Sequence, residues 1–449
     1  MPRSHGAAPG RYDAPVTSPL AAPLTLPCGA VLPNRIAKAA MTEALGDLHD
    51  DATPALERLY RRWSDGGAGL LISGHLMVDR RFLEQAGNVV LDEETDEAAL
   101  RAWVAAGTRG GNHFWAQLNH PGRQTTRFHA DRPVAPSAVA LTVRGFFARP
   151  RALEAAEIGE LIAAFARSAE IARRAGFTGV QVHAAHGYLI SQFLSPRSNR
   201  RSDAWGGSLE RRARFLLEVV RAVRAAVGPD YPVAVKLNSS DFQRGGFEHR
   251  EAVEVARMLA AEGIDLLEIS GGTYERVAFA GQRRAAAADP RATATRAREA
   301  YFLEYAHAIR AAMPGVPLMV SGGFRTPAVM GEVLRAGEAD VLGIARPFCV
   351  EPGFPERLLA GSREPLPSPE RHVRIGWGWA GPHSPSANVR AYNAQAATAW
   401  FYRQIERLGA GEEPERRPGA AVPLLLRYLG REWRRARQRR ALREARRHT

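Results

Sequence analysis

Eight short runs of β-branched and other apolar residues, each followed by a longer amphipathic stretch, recur over ~340 residues of this 449-residue chain. That alternation constrains the fold more than any other feature, because strands separated by helix-length segments pair in parallel. The runs predict strands near Arg35–Ala40, Gly69–Ser73, His113–Leu118, Gly179–His183, Val233–Leu237, Leu266–Ser270, Pro317–Ser321 and Val341–Ile344. Helical patterns lie between them, at 54–65, 93–108, 157–175, 209–227, 250–262, 297–313 and 327–336, with a short one at 354–360. Gly176, Gly228, Gly263 and Gly337 follow helical patterns, where a left-handed residue ends a helix well. Ser208 and Thr326 stand where N-caps are wanted. The prediction is a (β/α)8 TIM barrel with extended catalytic-face loops and a C-terminal basic extension. A doubly wound sheet is the rival, but no GxGxxG follows the first strand.

This reading divides the chain into a flexible segment over 1–19, a barrel over 20–365, a wrapping segment over 366–415 and an Arg-rich tail over 416–449. Two long loops, 119–156 and 271–296, read as lids or substrate walls. The net charge is +14, but residues 427–447 hold ten arginines and two glutamates, so +8 belongs to the tail. The basic pI is therefore no sign of sequence-specific nucleic-acid binding. The tail's apolar residues, Leu424, Leu425, Leu426, Tyr428, Leu429 and Trp433, are expected to dock while its arginines stay solvated. The bland alternative is a frayed extension that could be removed without harm. The functional one is weak electrostatic contact with anionic surfaces. A homo-oligomer is a further option.

Cys28 and Cys349 are the only cysteines, which excludes a Cys-ligated iron–sulfur cluster, a Cys-rich zinc site and a disulfide scaffold. No metal-ligand set stands out. The first residues contain no continuous apolar run, so no signal peptide is expected, and a cytoplasmic location is. Only Lys38 and Lys236 are lysines among 61 basic residues, which suggests positions where arginine does not fit.

In a barrel the chemistry lies just after each strand, at the C-terminal ends. His183, His186 and Tyr188 follow the fourth strand. Two neutral imidazoles can donate to one oxygen and polarise a carbonyl or phenol, and a tyrosine can act as general acid. Either histidine could equally be a buried structural residue. Gln117 ends the third strand and offers a donor and an acceptor to a heterocycle edge. Small residues and a hydroxyl, Ala40, Met41 and Thr42, follow the first strand. Lys236 ends the fifth, where a lysine forms a Schiff base or holds an anion. Gly322 and Gly323 follow the seventh strand and Ala345 and Arg346 the eighth, the two loops that form the recurrent phosphate site of this fold.

With these residues in place, the chain resembles the Old Yellow Enzyme family of FMN-dependent NAD(P)H oxidoreductases, from about Leu24 to about Gly411. The matching motifs are LPNRIAKAAMTE, WAQLNHPGRQ, VHAAHGYLISQFLSPRSNRRSDAWGGSLERR and DVLGIARPF. The resemblance implies FMN as cofactor and NADPH or NADH as hydride donor. It implies that Ala40, Met41 and Thr42 lie against the isoalloxazine and Gln117 meets its pyrimidine edge. Lys236, more often arginine in the family, would set positive charge by N1 and O2. Gly323, Ala345 and Arg346 would hold the ribityl phosphate. His183 and His186 would bind a substrate carbonyl, and Tyr188 would donate the proton. The implied reaction is reduction of the C=C bond of an enone-like, α,β-unsaturated carbonyl compound by ping-pong hydride transfer. His75 departs from the small residue common at its position, and Glu43 and Ala44 offer no substrate-binding aromatic. Two readings outside this class remain at this point: a phosphate-handling lyase or isomerase using Lys236, and a non-catalytic flavin-binding scaffold.

Overall fold

The chain is described by a computed structural model over residues 18–141, 147–271 and 303–446. The expected flexible segment up to residue 17 and most of the 271–296 loop lie outside the described residues. Eight parallel strands close a barrel: β1 (Ile36–Lys38), β2 (Leu70–Met77), β3 (His113–Asn119), β4 (Gly179–Ala184), β5 (Val233–Asn238), β6 (Leu266–Ser270), β7 (Leu318–Ser321) and β8 (Val341–Ile344). Each pairs with its neighbour in chain order, and β8 pairs with β1 to close the ring. The predicted (β/α)8 barrel is the fold.

Closure gives the barrel two apolar layers. Inside, Ala37, Leu70, Ile72, Trp115, Ala234, Leu266, Met319 and Val341 pack together, and Leu26 and Leu32 from a small antiparallel hairpin plug the N-terminal end. Outside, the strands' other faces meet α1 (Pro54–Ser64), α2 (Glu97–Thr108), α3 (Ala155–Ala175), α5 (Leu209–Val227) and α6 (His249–Ala261). A short α4 (Leu189–Leu194) lies between α3 and α5; α7 (Leu303–Ala312), α8 (Pro327–Arg335) and α9 (Phe354–Leu359) complete the ring.

Local chemistry sets the element ends. The second helix starts at Glu97 rather than Glu93 because the Asp96 carboxylate accepts from the Ala98 and Ala99 amides. Glu154 and Glu157 form a reciprocal capping box at the start of α3, and Gly176 ends it at φ 99°. Strand β2 runs four residues past the predicted Ser73 because it carries a bulge. Its register against β3 shifts between Ile72 and His75. The cause is Glu43, whose carboxylate accepts from the Gly74 amide and lies where any Gly74 Cβ would sit. The bulge turns His75 toward the barrel mouth, paired with Gln117.

Beyond the barrel the sequence reading needs correction. The wrapping segment and tail fold into two long helices, α10 (Ala387–Ala410) and α11 (Ala421–Arg446), which pack on each other and on the barrel. The expected polarity of the tail is partly reversed. Leu426, Leu429 and Trp433 are exposed, whereas Arg439 is buried and Arg435 half-buried. The helical period explains it: the face that buries Leu425, Ala436 and Arg439 turns Leu426, Leu429 and Trp433 outward. Among the described residues, no helix is long and apolar enough to cross a membrane.

Candidate active site at the barrel mouth

Every candidate named from the sequence lies at the C-terminal ends of the strands or in the first residues after them. His183 closes β4 and is buried; His186 follows, half-buried, with φ 60°. That left-handed backbone is strained for a non-glycine residue. It is held by the Asn238 carboxamide, which accepts from the His186 amide at 3.0 Å. Ser270 Oγ stands 2.9 Å from His186 Nε2. Tyr188, at the start of α4, is 3% exposed. The rings of His183 and His186 meet edge-on at 5.1 Å, and those of His183 and Tyr188 at 4.9 Å. The three residues thus share one pocket.

Burial pushes both imidazoles well below their ordinary value, and the cationic Lys236 close by lowers both further. Both are neutral at neutral pH, the state in which each donates one N–H and accepts at the other nitrogen. A stability consequence follows. A group with a depressed folded pKa binds fewer protons folded than unfolded, so its contribution is complete above the unfolded value and is lost as pH falls. The melting temperature is expected to be flat above about pH 7 and to drop below the ordinary imidazole value of 6.5. The slope should be shallower in a His183→Ala/His186→Ala variant when melts are recorded from pH 5 to 8.

A buried polar layer crosses the barrel below this pocket. Gln117 Nε2 donates to Gln181 Oε1 at 2.7 Å, and Gln181 Nε2 donates to Glu268 Oε2 at 2.8 Å. Lys236 Nζ lies 2.8 Å from Glu268 Oε1. The positive charge expected of Lys236 therefore stands beside a carboxylate, that of Glu268. Glu268 and Gln181 were missed because their meaning depends on cross-barrel pairing, which spacing along the chain does not show. Both lysines are buried. Lys38 packs against Tyr60 and Trp63 between barrel and α1, where burial lowers its pKa to about 8.

The residues present suit FMN. Gln117 Oε1 is buried without a hydrogen-bond partner, an acceptor placed for a heterocycle N–H. Ala40, Met41 and Thr42 are half-buried and open to the mouth. Gly322 and Gly323 take φ 135° and 83°, which lets the backbone approach an anion closely. Ala345 and Arg346 flank them. Arg325, which the sequence reading overlooked, joins Arg346 there: both guanidinium groups reach Glu370, at 3.0 and 3.4 Å.

The sequence pattern of the NADH:flavin oxidoreductase / NADH oxidase family matches residues 19–364, the whole barrel. The chain belongs to that family. An NADH-dependent flavin oxidoreductase of Hypocrea jecorina is 37% identical over 360 residues, covering 75% of this chain and 88% of that protein. Another, from Neonectria sp., is 36% identical over 407 residues and 85% of this chain, which spans only 51% of that relative's length. The solved structure of morphinone reductase superposes with a TM-score of 0.64 at 27% identity, over 79% of this chain and 92% of that one. For this flavin oxidoreductase, the family supplies FMN as cofactor and a nicotinamide as hydride donor. It also removes the Schiff-base lyase and the non-catalytic scaffold from consideration.

Proposed function

We propose that this flavin oxidoreductase reduces the C=C bond of α,β-unsaturated carbonyl compounds. The observation that carries the reading is the neutral pair His183 and His186, converging beside Tyr188 at the end of β4. The chemistry that bound FMN supplies is storage of a hydride between nicotinamide and substrate. The chain's own residues do the rest. The two imidazoles donate to the substrate oxygen and stabilise the enolate charge that grows as the β-carbon receives hydride. Tyr188 holds the proton destined for the α-carbon. Gln117 would hold the ring end of the flavin and the Gly322–Gly323 turn with Arg346 its phosphate end, with Thr42 beside the ring. The name of morphinone reductase, whose structure this barrel resembles, is consistent with an unsaturated ketone as substrate class.

The test is NADH or NADPH consumption by the purified, FMN-loaded protein under anaerobic conditions, with and without 2-cyclohexenone, and identification of the product. Enone-dependent consumption yielding cyclohexanone supports the proposal. Consumption that needs oxygen and ignores the enone refutes it. The weak contact of the tail with anionic surfaces remains a proposal too, now confined to the outward arginines Arg427, Arg434, Arg437 and Arg440. Loss of heparin retention at low salt on replacing these four is the expected result.

A further inference from the structure

Glu84 lies in the loop after β2, and neither the family comparison nor the sequence reading gives it a role. Its carboxyl joins three residues of the site. Tyr188 Oη donates to Glu84 Oε1 at 2.5 Å. His75 Nδ1 lies 2.7 Å from Glu84 Oε2, and Thr42 Oγ1 donates to the same oxygen at 3.1 Å. The His75 ring also packs edge-on against Tyr188 at 4.9 Å and against His183 at 5.1 Å. The His75 and Glu84 side chains are 9% and 11% exposed, so the cluster is nearly enclosed.

The position of Glu84 is imposed from outside the barrel. The next residue, Gln85, is clamped by two tyrosines: its Nε2 donates to Tyr402 Oη at 2.7 Å, and Tyr428 Oη donates to its Oε1 at 3.1 Å. The Ala86 amide donates to Glu432 at 3.0 Å. Those partners sit on α10 and α11. A β2 bulge turns His75 inward, and the C-terminal helices present Glu84 to it.

We propose that Glu84 and His75 form a proton relay that positions and recharges Tyr188. The proposal rests on the reading of Tyr188 as general acid. While Glu84 is a carboxylate, the single Tyr188 proton points at it and not at the substrate. Protonation of Glu84 reverses the bond, so that the carboxyl donates to Tyr188 Oη and the phenol proton is free to face the α-carbon. In the reaction the Tyr188 O–H bond breaks and the α-carbon C–H bond forms. The Glu84 proton moves to Tyr188 Oη, and Glu84 is left as carboxylate. The two electrons arrive with the hydride that the nicotinamide supplies through FMN, so substrate gains one hydride and one proton. His75 or solvent then returns a proton to Glu84. The relay avoids a tyrosinate beside a carboxylate in a nearly enclosed pocket, an arrangement that burial and like charge both disfavour. The titratable and charged groups around Glu84 include His75 and Tyr188 in contact, His183 behind His75, Tyr402 on α10, and Arg431 and Glu432 on α11 beside Tyr402.

The experiment is single-turnover reoxidation of the reduced, FMN-loaded full chain by 2-cyclohexenone, from pH 5.5 to 9, for wild type, Glu84→Gln, Tyr188→Phe and the double variant. Glu84→Gln is expected to slow turnover of the bound enone about 10²-fold. The enone concentration at half-saturation should change less than threefold. The wild-type rate should fall as pH rises, and that dependence should vanish in Glu84→Gln. The double variant should be no slower than Tyr188→Phe alone. Wild-type rates in Glu84→Gln with a slow Tyr188→Phe would overturn the relay and leave the general acid standing. Wild-type rates in both would overturn the general acid itself. Additive losses would show Glu84 acting apart from Tyr188 and would also overturn the relay. Should Glu84→Gln fail to fold, Glu84→Asp keeps the titration but shortens the reach: a slower rate with the pH dependence retained is expected, and an unchanged rate counts against the relay.

Discussion

Replacing His183 and His186 together with alanine is expected to slow reoxidation of the reduced flavin by an enone by on the order of 10³-fold. Each neutral imidazole donates to the oxygen on which negative charge accumulates, and one such donor is typically worth roughly 10²–10³ in rate. Their contributions overlap because both act on one atom, so the product of the two single losses is an upper bound. Flavin reduction by the nicotinamide should slow far less, since no oxyanion develops in that half. Stopped-flow recording of the two half-reactions separates the effects. Equal losses in both halves would show that the histidines shape the flavin pocket and do not act on substrate.

The second large effect concerns a residue far along the chain from the strand ends. Arg439, 4% exposed, grips Asp50, 2% exposed, with two bonds at 2.7 and 2.5 Å, and donates to the Arg80 carbonyl at 2.8 Å. One turn earlier, Arg435 donates to the carbonyls of Ala44 and Gly46. These arginines fasten the loop after β1, which carries Met41 and Thr42, and in it Ala44 and Asp50 hold left-handed backbone at φ 56° and 69°. Arg439→Ala leaves a buried carboxylate offset by Arg80 at 3.6 Å and, from farther off, by Arg435. Breaking one side of such a pair costs about 3–5 kcal/mol, and the remaining Arg80 contact puts this case near 3. Arg434→Ala and Arg437→Ala, on the outward face, should stay within about 0.5 kcal/mol. Denaturant melts of the three variants decide between a fastened helix and a dispensable extension. Equal, small effects would mean that the tail is separable after all.

The barrel was legible because its strands are buried on both faces and read as apolar runs, with helix-length intervals between them. Leu209–Val227 and Leu266–Ser270 agree to the residue, since Ser208 and the flanking glycines punctuate them locally. The site residues were legible for a different reason. The fold places chemistry after each strand, so His183, Gln117 and Lys236 were found by position alone, and the motif resemblance then supplied their roles. What was missed depends on contacts between distant parts of the chain. Glu84 gains meaning only when α10 and α11 press its loop against Tyr188. Glu268 gains it only across the barrel from Gln181 and beside Lys236. The tail was misjudged for a related reason. Ten arginines in 21 residues look like a solvated run, and partners far away in sequence, Asp50 for Arg439 and the Ala44 and Gly46 carbonyls for Arg435, show that some of them point inward.

The most direct measurement is an anaerobic double-mixing experiment on the FMN-loaded full chain. NADH or NADPH bleaches the flavin, excess nicotinamide is removed, and 2-cyclohexenone is added. The account predicts that the oxidised flavin spectrum returns in full, with one equivalent of cyclohexanone formed per flavin and deuterium from solvent D2O at its α-carbon. A flavin that stays bleached until oxygen is admitted would contradict it.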